Sequence, residues 1–127
     1  MRARGLKFAQ ASEHEEQAAL VSWAFTFRKS YPELEMLFAI PNQGAARLKN
    51  LQTEGVMRGV PDLMLAVARG PWHGLFIELK RRKGGKLSME QIGWLSRLAA
   101  EGYCAIRCDG WDEAREGILR YLRGESE

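Results

Sequence analysis

The sequence predicts an α/β fold, a central mixed β-sheet flanked by α-helices, and three observations predict it. Helical periodicity with capping signals recurs before, between and after short apolar runs. One run, residues 63–68, is almost wholly apolar, as in strands covered on both faces. The turn-rich connection 69–74 then returns the chain through a second run, 75–80, antiparallel to the first. The expected order is α-β-α-β-β-α-β-α.

Each element follows from its residues. Residues 1–11 are basic and without period, which suggests a loose arm. Ser12 with Glu15 forms a capping box, and Gln17, Leu20, Val21, Ala24 and Phe25 repeat at helical spacing. A helix is expected over 13–30, ended by Pro32. Residues 36–40 read as a short strand before the Pro41-Asn42-Gln43-Gly44 turn, and 45–54 as a second helix stopped at Gly55. Ser88 and Gln91 open a third helix with Ile92, Leu95, Leu98 and Ala99 as its apolar stripe. A last strand is expected over 103–108. A closing helix follows over 112–122, with Ile118, Leu119 and Leu122 inward.

Composition sets the class. A chain of 127 residues suits one domain, and 46% hydrophobic with 28% charged residues is ordinary for a globular protein. The longest apolar run is too short to cross a bilayer, and the N-terminus lacks a signal-type apolar stretch. Neither a membrane nor export is expected, and a cytoplasmic setting suits thiols at Cys104 and Cys108, whose spacing disfavours a disulfide. A net charge of +3 is a weak argument for nucleic acid. Its distribution says more: Lys80, Arg81, Arg82, Lys83 and Lys86 crowd one stretch.

Chemistry concentrates on the strand 75–80. Leu75, Ile77 and Leu79 face one way, whereas Phe76, Glu78 and Lys80 face the other. A lone acid-x-lysine is more often a strand-end salt bridge than a site. Asp62 changes that weighing, because an antiparallel pair brings the start of its strand beside the end of the next. Two carboxylates at one point repel, and a hard cation such as Mg²⁺ or Mn²⁺ relieves the repulsion. Such an ion also binds phosphate oxygens and acidifies bound water, and a neighbouring lysine offsets charge on a phosphate. That is the equipment of phosphodiester hydrolysis.

Gly59-Val60-Pro61-Asp62-Leu63, Leu75-Phe76-Ile77-Glu78-Leu79-Lys80, Leu87-Ser88 and Gln91 resemble the VRR-NUC branch of the PD-(D/E)xK nucleases. Ile40-Pro41-Asn42-Gln43-Gly44 and Ser12-Glu13-His14 extend the resemblance to about residues 12–109. The resemblance implies a restriction-endonuclease-like core that cuts DNA with a divalent metal. It makes Asp62 and Glu78 metal ligands, Lys80 the catalytic lysine and Gln91 the glutamine that completes the site. An N-terminal helix acid also belongs to the family's site; Glu13 is the choice for it, as a third ligand, and Glu16 the rival. Asn42 is expected to hold the backbone near the site, and Arg81, Arg82, Lys83 and Lys86 to meet DNA phosphates. Stand-alone relatives are similar to small phage or bacterial enzymes acting on branched DNA. A homodimer cutting a four-way (Holliday) junction is therefore the leading expectation. The alternatives are a nuclease for flaps or linear duplex, a non-catalytic nucleic-acid-binding module, and a small-substrate hydrolase using the same metal.

Overall fold

The computed structural model describes residues 10–41 and 53–125. Asn42 and nearly all of the expected helix 45–54 lie outside the described residues, as does most of the arm. The arm's last residues are anchored: the Gln10 side chain accepts from the Lys83 N–H at 2.7 Å and donates to its carbonyl at 3.2 Å.

In chain order the elements are α1 (Glu13–Thr26), a 3-10 helix (Pro32–Met36), β1 (Leu37–Ala39), β2 (Leu63–Leu65) and β3 (Leu75–Lys80). They continue with α2 (Met89–Ala100), β4 (Cys104–Asp109) and α3 (Trp111–Leu122). The strands lie in the order β1-β2-β3-β4. The first two pairings are antiparallel and the last is parallel, so the sheet is mixed as expected.

Both capping boxes form, Ser12 with Glu15 and Ser88 with Gln91. α1 stops at Thr26, short of residue 30, because Phe27 leaves helical geometry and its carbonyl takes up the N–H groups of Ser30 and Tyr31. Pro32 does more than end α1: at the first position of the 3-10 helix its missing N–H has no cost. β1 and β2 are three residues each, shorter than expected. Tyr103 falls outside β4, which runs on to Asp109.

The core lies on one face of the sheet. Leu63, Leu65, Leu75, Ile77, Leu79 and Cys108 pack there against Leu20 and Ala24 of α1 and Ala114, Ile118 and Tyr121 of α3. At roughly 1.5–3 kcal/mol per fully buried aliphatic side chain, this face carries the fold. The opposite face is different. α2 buries no residue completely, Ile92 stays 47% exposed and Ala99 faces solvent. The expected stripe is therefore rotated: Gln91, Trp94, Leu95 and Leu98 are the partly covered positions. In α3, likewise, Leu119 and Leu122 are half-buried, and the fully covered positions are Ala114, Ile118 and Tyr121. Among the described residues no helix is long and apolar enough to cross a membrane.

Candidate functional site

The hairpin register places Leu63 opposite Ile77, so Asp62 meets the chain at Glu78 and Leu79. The Asp62 Oδ2 accepts the Leu79 N–H at 2.7 Å, which fixes the carboxylate across the strand pair. The turn before it is held as tightly. Gly59 has φ +90, and a Cβ there would stand 2.6 Å from the Cβ of Glu90 in α2, so only glycine lets the turn seat on that helix.

β3 is the central strand between β2 and β4, so its charged residues are enclosed. Glu78 is 1% and Lys80 6% exposed. Gln91 bridges them. Its Nε2 donates to Glu78 Oε2 at 3.0 Å, and its Oε1 accepts from Lys80 Nζ at 3.1 Å. The same Oε1 accepts the Ser88 N–H at 2.8 Å in the capping box, so the start of α2 and the site share one side chain. Lys80 Nζ also lies 3.7 Å from Glu78 Oε2.

Burial, and next the charge of Asp62, push the Glu78 carboxyl up to about 8. Asp62 is raised as well, chiefly by burial, against the lowering effect of the Leu79 N–H. Glu78 Oε1 is buried with no hydrogen-bond donor to it among the described residues. An orphaned carboxylate oxygen beside a second carboxylate is what a hard, oxygen-seeking cation would satisfy, so Asp62 and Glu78 fit a divalent ion.

Glu13 and Glu16 separate by environment. Glu13 is 44% exposed, with Oε2 4.0 Å from Lys80 Nζ. It lines an open cleft with His14, Gln17, Ala39, Ile40, Pro41, Asp62 and Leu79. Glu16 is 2% exposed and points elsewhere. Its Oε1 accepts the Trp111 N–H at 2.9 Å, and its Oε2 pairs with Arg82 at 3.3 Å. Among the described residues no three His, Cys, Asp or Glu side chains converge as a metal site. Glu13 thus stands at the open side of the cleft, near the lysine and close enough for its charge to raise both the Asp62 and the Glu78 carboxyls.

The basic residues after Lys80 are exposed, and the two arginines among them also have partners within the fold. Arg82 pairs with Glu16 and with Asp112, 2.8 Å away. Arg81 folds onto its own loop, donating to the carbonyls of Lys83 and Gly84 at 2.9 and 3.1 Å. Lys83 and Lys86 are exposed, as are Arg81 and Arg82. The structural part of Glu16 and Arg82 could not be read from the sequence, since the Glu16–Trp111 bond spans 95 residues.

An acid at the mouth of one strand and an acid-x-lysine on its neighbour, in a mixed sheet, is the arrangement that defines the PD-(D/E)xK class of nucleases. Residues 7–112 match the VRR-NUC domain, and the chain belongs to that family, a nuclease family of the PD-(D/E)xK type. A solved structure described as a VRR_NUC domain protein is similar over 94% of each chain, with a TM-score of 0.80 and 28% identity. No curated protein matches the chain. Nucleases of this class generally work with divalent metal ions.

Proposed function

We propose that this chain is an endonuclease that hydrolyses DNA phosphodiesters with Mg²⁺ or Mn²⁺ held by Asp62 and Glu78, and that branched DNA is its substrate. The observation that carries this reading is the buried contact of Glu78, Lys80 and Gln91 beside Asp62. When bound, the ion would polarise the scissile phosphate and supply a nucleophilic water near neutral pH.

The chain's own residues do the rest. The Leu79 N–H aims Asp62, and Gln91 holds the Glu78 carboxylate and the Lys80 ammonium at fixed spacing. Lys80 then offers its remaining protons to the phosphate oxygens or to the attacking water, where negative charge builds. Glu13 tempers the lysine's charge from the open side of the cleft. Lys83 and Lys86 are placed for the DNA backbone, reading shape rather than base sequence. Arg81 and Arg82, exposed on the same stretch, hold the loop and lie within reach of the same backbone. A two-fold pair of chains would present two sites to two strands, which suits a four-way junction.

Labelled four-way junction, flap and linear duplex of matched sequence test this, with wild type, Asp62→Ala and Lys80→Ala in Mg²⁺, Mn²⁺ or EDTA. Cleavage by wild type that needs metal, prefers the junction and falls to a small residual rate in both variants is the expected result. Equal cutting of the three substrates would remove the junction preference and leave the nuclease. DNA binding without cutting, unaltered by Lys80→Ala, would point to a binding module. Sedimentation of the protein alone and on the junction reads the dimer.

A further inference from the structure

A buried lysine on a strand needs something to keep its flexible stem in one rotamer, and the loop after β3 supplies it. Gly85 lies directly on the stem: a Cβ there would stand 2.9 Å from Lys80 Cβ and 3.3 Å from both Cγ and Cδ. The glycine is held down from the neighbouring strand. Arg107, opposite Glu78 in the β3–β4 register, donates from Nη2 to the Gly85 carbonyl at 2.8 Å. Asp109, opposite Lys80, steadies the same guanidinium at 3.0 Å through Nε. Below, the Gly110 N–H donates to the Lys80 carbonyl at 2.8 Å.

We propose that Arg107 is a positioning residue for the site, pressing Gly85 onto the Lys80 stem so that the ammonium stays between Glu78 and Gln91. Arg107 acts at one remove, through a backbone carbonyl and a Cα. A planar guanidinium does this well, because one fork member holds the loop while another is fixed by a carboxylate on its own strand. Three consequences follow from the geometry. The lysine is shielded from solvent by a glycine that tolerates no side chain. Loss of the arginine frees the loop and then the lysine. Asp62, Glu78 and Gln91 keep the contacts that seat them, on the Leu79 N–H, on each other and on the Ser88 N–H, which do not pass through the Gly85 loop.

The catalytic value of the clamp rests on the nuclease reading, whereas its mechanical part does not. Brief acetylation of the full chain with limiting acetic anhydride, read by peptide mass spectrometry, reports the mechanical part. In wild type, Lys80 should label far more slowly than the exposed Lys83 and Lys86. Arg107→Ala and Gly85→Ala should each speed Lys80 labelling several-fold with Lys83 and Lys86 little changed, and Arg107→Lys should restore part of the shielding. In junction cleavage, Arg107→Ala should lower kcat by roughly 10- to 100-fold, the scale of a misplacement of about 1 Å, with KM unchanged. Arg107→Ala combined with Lys80→Ala should cut no more slowly than Lys80→Ala alone, because both changes act through one amine. Unchanged Lys80 labelling in Arg107→Ala, or losses that add in the double variant, overturns the proposal. Wild type that shields Lys80 through Arg107 yet cuts no DNA would instead overturn the nuclease reading and leave the clamp standing.

Discussion

At the scale of single residues, Glu78 carries an unusual load: a carboxyl 1% exposed, on a central strand, facing a second acid. Its alternation with Leu79 and the hairpin that returns Asp62 to it were legible in the sequence, because strand geometry has a period of two and an antiparallel turn closes at a known end. What could not be read was how deep Glu78 sits, since its depth depends on cover from other elements, Gln91 of α2 among them. That depth has a pH consequence. Burial and Asp62 raise Glu78 from an ordinary 4.5 to about 8 in the metal-free fold. A folded-state value above the unfolded one means that the group binds protons more tightly when folded. Its stabilisation is therefore complete below about pH 4.5 and is lost as pH rises through about 8. In EDTA, Tm should fall between pH 5 and 8, and Glu78→Gln should flatten that fall. Parallel slopes for the two proteins would mean that the acid is not titrating in this window.

At the scale of elements, two of the described α-helices begin at caps that their residues signal, Ser12 and Ser88. α3 begins within a residue of the expected position but without a capping side chain, because Gly110 has none. Its N-terminus is finished from α1, by the buried Glu16 carboxylate on the Trp111 N–H. No local pattern encodes such a cap, and so the sequence alone leaves Glu16 beside Glu13 as a rival. The inward stripe of α2 was misjudged for a related reason. Periodicity finds an apolar face, but this helix lies over a polar site, and Gln91 rather than Ile92 turns inward. The two acids one turn apart on α1 should thus fail differently. Glu16→Ala leaves the Trp111 N–H without its acceptor and Arg82 with Asp112 alone, a loss of roughly 1–3 kcal/mol in stability. Glu13→Ala, at an exposed position, should leave stability within about 0.5 kcal/mol and act on cleavage. Urea unfolding of both variants beside junction assays checks this, and a Glu13→Ala protein as unstable as Glu16→Ala would show that the assignment is inverted.

At the scale of the whole molecule, the sheet has a division of labour. One face holds the aliphatic core between α1 and α3, and the other gives its central strand to Glu78 and Lys80. The apolar runs made the first face legible. The second face was legible only as a pair of charges out of place, because buried charges leave no apolar pattern. Two adjoining acids there cost the fold stability, which a bound cation would return on the proposed reading. Asp62→Asn tests that balance directly. The amide oxygen can still accept the Leu79 N–H, so the hairpin contact survives while one of two adjoining negative charges is removed. In EDTA at pH 8 the variant should melt above wild type, by relief of like-charge repulsion. In Mn²⁺ the order should reverse, because wild type gains about 2.7 kcal/mol at a free metal concentration of 100 Kd and the weakened variant gains far less. The reversal matters more than either shift, since a substitution that merely damaged or merely improved packing would move both melts the same way. Two melting curves that keep their order with and without Mn²⁺ would therefore separate Asp62 from metal binding, whatever the DNA assays show.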